Sequence, residues 1–199
     1  IYIISDEIYE HINFVDKHTS IAAFDAIKER VVVINGFSKS YAMTGWRVGY
    51  LAASKQVSAA CDKMQGQITS GTCSISQRAA LAAYQGGLDT VLNMKKEFHK
   101  RRDTVYTLLN EIPDIQVNLP DGAFYFFPEV KNYFGRSVNG NTINNAEELC
   151  LYLLNEAHVS LVTGDAFGNG NCIRISYAAA EDKLIEAVKR IREALSMLK

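Results

Sequence analysis

A lysine and an arginine lie close together in the segment NGFSKSYAMTGWRVGY, directly after the apolar run VVVI. Lys39 stands among small, hydroxyl and aromatic residues, where weaker solvation disfavours a charged amine and makes it more nucleophilic. Arg47 follows between Gly45 and Gly49. Its planar guanidinium suits bidentate binding of a phosphate, and the glycines let the backbone approach a ligand closely. The alternative is a surface lysine and a structural arginine paired with an acid.

An acid and a phenol follow another apolar run, at the start of the chain. The sequence opens IYIISDEIYE, so Asp6 and Tyr9 come directly after a predicted strand. Lys39 follows its own strand by five residues. In open α/β sheets, ligands bind beyond the carboxyl ends of the strands, where a partly desolvated carboxylate needs a cationic partner. The alternative is that Asp6 caps a turn and Tyr9 is an aromatic residue at the rim.

These four side chains together match the requirements of one cofactor. An amine, a guanidinium, a carboxylate and a phenol would converge at the carboxyl edge of adjacent strands. Pyridoxal phosphate needs that set, because a lysine binds its aldehyde and an acid keeps its pyridine nitrogen protonated, so that the ring acts as an electron sink. The sequence therefore predicts a pyridoxal phosphate site.

The overall composition is typical of a globular protein. The 199 residues carry a formal net charge of -1, and 48% of them are hydrophobic. This charge gives no support to a nucleic-acid partner, and no apolar run approaches the ~20 residues of a membrane helix. The four cysteines lack the spacing of a metal site, and scattered single cysteines fit a reducing cytoplasm. We therefore expect a cytoplasmic protein without a metal, nucleic-acid or membrane partner.

The predicted elements change character along the chain. Before residue 95, apolar runs and helical patterns predict a mostly parallel sheet with helices. A long helical pattern at 88–112 could join two domains, and short strands alternate with helices after Pro113, as in an α+β unit. We predict strands at 1–4, 30–34 and 50–53, helices at 21–28, 55–65, 75–85, 88–112, 146–158 and 181–198, further strands in IQVNL, AFYFFPEV, VSLVTG and CIRISYA, and a polar loop at 134–145.

Four motifs, in this order and spacing, resemble the fold type I, class I/II aminotransferases. They are SDEIYEHINF, VVVINGFSKSYAMTGWRVGYLAA, PDGAFYFFP and CIRISYA. The resemblance covers nearly the whole chain and is strongest to the bacterial aspartate aminotransferases. It implies an α/β fold, in which residues 1–95 are the C-terminal part of the large, cofactor-binding domain and residues 96–199 are the α+β small domain. Because the chain opens within an apolar strand, we expect it to be the C-terminal half of a longer protein.

The resemblance implies a role for each residue of the predicted cofactor site. Lys39 would bind pyridoxal phosphate as a Schiff base and later move the proton between the substrate Cα and the cofactor. Asp6 would pair with the pyridine nitrogen, Tyr9 would hydrogen-bond the phenolic oxygen, and Arg47 would bind the phosphate. The resemblance also implies amino acid and 2-oxo acid substrates and a homodimeric full-length protein.

Other positions complete or depart from the family pattern. Arg174 in CIRISYA would grip the substrate α-carboxylate, and Phe124 in GAFY would flank the substrate entrance. Some relatives carry a serine three positions before the lysine, where this chain has Gly36. Ser38 is then the candidate hydroxyl contact for the phosphate. We expect the glycine- and serine-rich phosphate loop, the ring-stacking aromatic residue and an asparagine of the site to lie upstream of this chain.

Three interpretations of function follow. The full-length protein would transfer an amino group from an L-amino acid, aspartate or similar, to a 2-oxo acid, or would be a β-lyase with the same cofactor. Alternatively, this chain is a stable, non-catalytic fragment, because it lacks half of the cofactor cradle. A nicotinamide dinucleotide site is the weakest interpretation, because TGDAFGNG lacks the G-x-G-x-x-G spacing.

Overall fold

The computed structural model describes all 199 residues and divides them into two units, Ile1–Lys96 and Glu97–Lys199. The division falls within the longest helix, α3 (Asp89–Asn110). None of the helices is both long and apolar enough to cross a membrane. The first unit contains β1 (Ile3–Asp6), β2 (Val31–Gly36), β3 (Gly49–Ala52), α1 (Lys55–Ile68) and α2 (Ser74–Gln85).

The strands of the first unit form one sheet in the order β1-β2-β3. Strands β1 and β2 are parallel, with Asp6 opposite Ile34, whereas β2 and β3 are antiparallel. The side chains of Val31, Val32 and Val33 are buried, as their unbroken apolar run indicates. Because β1 and β2 run in the same direction, the segments that follow them leave the sheet at the same edge.

Two glycines allow β2 and β3 to pair closely at that edge. Gly36 lies opposite Gly49 in the antiparallel register. A Cβ atom on Gly36 would lie 2.9 Å from the Cα of Gly49, and one on Gly49 would lie 2.9 Å from the backbone oxygen of Asn35. Both distances are shorter than van der Waals contact, so a serine at position 36 would force the strands apart.

The helix predicted at 21–28 is wrong in type. The structure has two short 3₁₀ helices instead, Ile21–Ala23 and Lys28–Arg30. Neither contains a buried residue, so no packed apolar face compensates for the cost of nucleating an α-helix. Helix α1, in contrast, continues to Ile68, three residues beyond its predicted end.

The second unit combines short antiparallel strands with the rest of α3 and two further helices. Its main sheet has the order β4-β8-β7, and the predicted strand IQVNL forms only an isolated bridge between Gln116 and Glu129. Strand β8 therefore lies at the centre of the sheet. The elements are β4 (Tyr125–Phe126), β5 (Ser137–Val138), β6 (Asn141–Thr142), α4 (Ala146–Ala157), β7 (Val162–Thr163), β8 (Ile173–Ser176) and α5 (Glu181–Ser196).

The segment predicted as a polar loop at 134–145 contains a hairpin. Strands β5 and β6 pair around Asn139 and Gly140, whose φ angles are 51° and 82°. Positive φ at both central residues matches the two-residue turn that an Asn-Gly pair favours. The signal was thus present in the sequence, but each strand has only two residues and few apolar side chains.

The core of the second unit lies between its helices and the sheet. Leu149 and Leu153 on α4 are buried, as are Leu184, Val188 and Ile191 on α5. Their spacing of three or four residues places each set on one helix face. The helices end slightly before the predicted positions, and His158, in a left-handed conformation, caps the C-terminus of α4.

Candidate active site

The acid and the phenol predicted for the cofactor site lie where β1 ends. Asp6 is the last residue of β1, and its Oδ1 atom accepts a hydrogen bond of 3.1 Å from the backbone nitrogen of Ile8. This bond forms a turn that leads to Tyr9. Asp6 therefore does cap a turn, as the alternative interpretation has it, while its side chain stays exposed at the edge of the sheet.

The lysine lies in a loop that is anchored by buried side chains. Backbone nitrogens of Tyr41 and Met43 both donate to the oxygen of Phe37, so residues 37–43 form a tight turn after β2. Phe37 and Met43 pack with Ala80 of α2 in a small apolar cluster. Lys39, between these anchors, is partly buried, and its Nζ atom lies 5.9 Å from the ring centroid of Tyr9. The structure thus brings Lys39 and Tyr9 together.

A chain of hydrogen bonds connects the arginine to the lysine loop. Arg47 adopts a left-handed conformation with φ of 52°, and its Nη1 donates to the backbone oxygen of Thr44 at 2.9 Å. The Thr44 hydroxyl in turn donates to the backbone oxygen of Ser38 at 2.8 Å. Thr44 therefore holds Arg47 and Ser38 in a fixed relation, although Arg47 itself is exposed.

Sequence reasoning missed a buried carboxylate beside Asp6. Glu7 accepts hydrogen bonds from the hydroxyls of Ser5 and Ser20 and the backbone nitrogen of Ile21, and it lies 3.0 Å from Nε2 of His18. Burial alone would raise the pKa of Glu7, but the hydrogen bonds from His18, Ser20, Ile21 and Ser5 outweigh burial, and the pKa is lowered. Glu7 thereby anchors the segment 18–21 to the end of β1.

The arginine of CIRISYA lies in the second unit, on the central strand β8. The Cζ atom of Arg174 is 4.6 Å from the ring centroid of Tyr125 and 4.2 Å from that of Phe167. The side chain is partly buried, and its guanidinium makes no hydrogen bond or ion pair to another side chain of this unit. Its N–H donors are therefore available to a ligand.

The aromatic residue predicted for the substrate entrance has an interior position. Phe124 is 9% exposed and stacks on Phe98, with 5.3 Å between ring centroids. Its neighbour Tyr125, which sequence reasoning did not select, is the one in contact with Arg174. The entrance role of Phe124 stays a prediction. Side chains alternate between the two faces of a strand, so the sequence could have indicated that Tyr125 points away from the buried face that holds Phe124 and Phe126.

A buried tyrosine fixes the turn that carries these aromatic residues. Ala123 has a φ of 58°, and its backbone oxygen accepts a hydrogen bond of 3.0 Å from the hydroxyl of Tyr177. Desolvation by burial raises the pKa of Tyr177 far above its ordinary value, so the hydroxyl remains a donor. The backbone nitrogen of Tyr177 also donates to the oxygen of Phe124, which holds the segment GAFY against β8.

The seven predicted site residues thus fall into two groups. Asp6, Tyr9, Ser38, Lys39 and Arg47 belong to the first unit, around the carboxyl edge of β1 and β2. Arg174 and Phe124 belong to the second unit. The residues of each group are positioned by elements of their own unit. The first offers an amine, a phenol, a hydroxyl, a carboxylate and a guanidinium, and the second offers a guanidinium in contact with two aromatic rings.

This chain belongs to the aminotransferase class I and II family, whose model matches residues 1–191. It is 50% identical over 203 residues to the bifunctional aspartate aminotransferase and glutamate/aspartate-prephenate aminotransferase of Petunia hybrida, covering 99% of this chain and 42% of that protein. It is 39% identical to the aspartate aminotransferase of Streptomyces avermitilis, over 100% of this chain and 49% of that protein. The family predicted from the four motifs is confirmed.

A solved structure supports the same conclusion for the fold. The crystal structure of the aspartate aminotransferase from Rhizobium meliloti matches with a TM-score of 0.95 and 38% sequence identity, covering 100% of this chain and 50% of that one. The predicted α/β fold class is therefore confirmed. The chain spans about half the length of the relatives it matches.

Proposed function

We propose that this chain is part of a pyridoxal phosphate-dependent aminotransferase. The whole protein would transfer an amino group from an L-amino acid, aspartate or similar, to a 2-oxo acid. The observation that carries the proposal is the position of Lys39, in an anchored loop at the carboxyl edge of the sheet and beside Tyr9. Relatives named as aspartate aminotransferases support the substrate class.

The donor set of the first unit fits this cofactor. Arg47 uses one N–H for Thr44 and makes no other hydrogen bond or ion pair, so its remaining donors suit a phosphate. Ser38 is held nearby through Thr44 and would add a hydroxyl donor. Asp6 keeps its exposed carboxylate at the strand end, where it would hold a pyridine nitrogen in its protonated form. When bound, pyridoxal phosphate supplies an electron sink for the bonds at the substrate Cα.

The other residues would bind the substrate and move its proton. Lys39 would attach the cofactor covalently, and its freed amine would then move the proton from the substrate Cα to the carbon that had carried the cofactor's aldehyde. Tyr9 would donate a hydrogen bond from its hydroxyl to the cofactor's phenolic oxygen. Arg174 would bind the α-carboxylate through two parallel N–H donors, which fixes the amino group for transfer.

The proposal extends to the organisation of the whole protein. Residues 1–95 would form part of a large cofactor-binding domain, and residues 96–199 would form the small domain. The division of the structure between Lys96 and Glu97 supports this boundary. We further propose that the whole protein is a cytoplasmic homodimer.

Covalent labelling of Lys39 tests the proposal without relying on turnover. The whole protein would be incubated with pyridoxal phosphate, reduced with borohydride and analysed by peptide mass spectrometry. We expect the label on Lys39 in the wild type and no label in Lys39→Ala. The matched control is Lys63→Ala, an exposed lysine on α1, which should keep the label on Lys39. A label on a different lysine, or none, would contradict the assignment.

Kinetics of the same variants test the reaction. Lys39→Ala should lower kcat by at least about a hundredfold, because proton transfer by a positioned side chain contributes ~10²- to 10⁴-fold. The wild type should convert a 2-oxo acid into a new amino acid when aspartate is the donor. Release of ammonia without a new amino acid would instead indicate a β-lyase.

A further inference from the structure

We infer that Tyr125 and Phe167 are positioning residues whose rings hold the Arg174 guanidinium, so that its N–H donors are presented to a substrate carboxylate. This inference rests on the proposed function, because it assigns a role within the same substrate site. It also gives a structural purpose to the segment TGDAFGNG, whose spacing does not fit a dinucleotide-binding loop.

The position of Tyr125 follows from the register of the sheet. Strand β4 is antiparallel to β8, with Tyr125 opposite Ser176 and Phe126 opposite Ile175. Side chains two residues apart on a strand share a face, so Arg174 is the diagonal neighbour of Tyr125 on the same face. Phe126 and Ile175 point to the other face and are buried. Any shift of this register by one residue would remove Tyr125 from Arg174.

The position of Phe167 follows from a tight turn after β7. Thr163 ends β7, and its hydroxyl donates to Oδ2 of Asp165 at 2.7 Å. The 3₁₀ helix Gly164–Phe167 then carries Phe167 to Arg174. A Cβ atom on Gly164 would overlap backbone oxygens of this turn, and one on Gly170 would lie 2.6 Å from Oδ1 of Asp165. Gly164 is therefore required for the turn to close, whereas a larger residue at position 170 would displace the Asp165 side chain.

Two aromatic rings lie against the guanidinium of Arg174. Tyr125 and Phe167 lie 4.6 Å and 4.2 Å from the Cζ atom of Arg174, within the range of cation–π attraction. The rings contact the guanidinium carbon of Arg174. The N–H donors of Arg174 have no partner among the side chains of this unit. A planar carboxylate can accept two parallel N–H bonds along the edge of a guanidinium. The rings also order the side chain before binding, which lowers the entropic cost of association.

Nuclear magnetic resonance of the 199-residue chain tests the position of the guanidinium directly. The Nε–H signal of Arg174, assigned by its loss in Arg174→Lys, should be shifted upfield by the rings. Phe167→Leu and Tyr125→Leu should each reduce that shift, and Phe167→Tyr should keep it. Phe134→Leu, which replaces a different phenylalanine of the second unit, should leave it unchanged. A signal at the ordinary position in the wild type would overturn the inference.

Kinetics of the whole protein test the role in substrate binding. Phe167→Leu should raise KM for the amino acid and for the 2-oxo acid by about 3- to 30-fold, the range of a partly desolvated cation–π contact. The kcat and the affinity for pyridoxal phosphate should stay within about twofold, since a contact made equally in the ground and transition states affects KM alone. Phe167→Tyr should restore KM, and Phe134→Leu should not change it.

A double-substitution cycle separates action through Arg174 from a general structural effect. In the Arg174→Ala background, Phe167→Leu should raise KM no further, because the group it positions is gone. Equal effects in both backgrounds, or unchanged KM values in Phe167→Leu, would overturn the inference while leaving the proposed function intact. A wild type that transfers no amino group would overturn the proposed function and, with it, the inference.

Discussion

Helix α1 of the first unit and helices α4 and α5 of the second differ sharply in how many of their residues are buried. Helix α1 in the first unit has no buried residue, and its Met64 and Ile68 are 64% and 71% exposed. Helices α4 and α5 in the second unit bury five residues each. The second unit therefore carries its own apolar core, whereas the first relies on its sheet, the small cluster around Phe37 and polar anchors such as Glu7.

The comparison leads to different expectations for the two predicted sites. The ring contacts of Arg174 stand on a sheet with a buried face, so this group should keep its geometry in the isolated chain. The cofactor residues stand on loops whose supports are fewer. Substitutions that remove apolar atoms should therefore have large effects in the second unit and small effects on α1.

The largest expected effect comes from Leu153→Ala on α4. The Leu153 side chain is fully buried, and truncating such a leucine costs about 2–5 kcal/mol of the free energy of unfolding. Leu151→Ala, on the same helix but 52% exposed, is the matched control and should change stability by less than about 0.5 kcal/mol. Urea denaturation of the chain, with circular dichroism as the probe, measures both.

Urea denaturation of an alanine variant on α1 tests the contrast between α1 and α4. Met64→Ala should behave like the exposed Leu151→Ala, because Met64 buries little surface in this chain. A cost near that of Leu153→Ala would mean that α1 packs against an apolar partner in solution, for example another copy of the chain. A concentration-dependent midpoint would then identify that partner.

A pair of glycine substitutions should have opposite signs in the two units. Alanine at Gly164 would place a methyl group on the backbone oxygens of Asn169 and Cys172, and we expect a loss of about 1–3 kcal/mol. Gly66 lies within α1 with open space around it, so Gly66→Ala should gain about 0.5–1 kcal/mol of stability through helix propensity. Thermal unfolding of the two variants against the wild type checks the signs; two losses would contradict the open surroundings of Gly66.

The part of the fold that sequence predicts well is the part with long periodic patterns. Helix α3 is confirmed with ends within two residues of the prediction, because its apolar positions repeat over many turns. The α-helix predicted at 21–28 does not form, because helix propensity alone favours it and none of its residues in Ile21–Ala23 is buried. The hairpin at Asn139 was missed because two-residue strands give no periodicity.

In the candidate site too, residues that are close in sequence could be predicted, whereas contacts between distant residues could not. Lys39 and Arg47 could be predicted together because they are only eight positions apart in the sequence. Tyr125 and Arg174 are far apart in the chain, and only the register of β4 on β8 brings them into contact. The partners of Glu7 lie on an irregular segment, whose path no periodic pattern predicts.

A charge-removing substitution tests Glu7 as the polar anchor of the first unit. Glu7→Gln keeps the size and one acceptor oxygen but removes the charge, so near neutral pH we expect a loss of about 1–2 kcal/mol. Glu29→Gln, at an exposed position of the same unit, is the control and should change stability by less than about 0.5 kcal/mol.

The pH dependence of this difference follows from the lowered pKa of Glu7. The folded protein holds the carboxylate charged more readily than the unfolded chain does, whose pKa is near 4.5. The stabilisation is therefore complete above that value and is lost as the pH falls through the lower pKa of the folded state. Urea denaturation as a function of pH should show wild type and Glu7→Gln converging in acid, while Glu29→Gln follows the wild type throughout. A difference that stays constant down to acid pH would mean that the charge of Glu7 does not support the anchor, and that the hydrogen bonds of segment 18–21 need only a neutral acceptor.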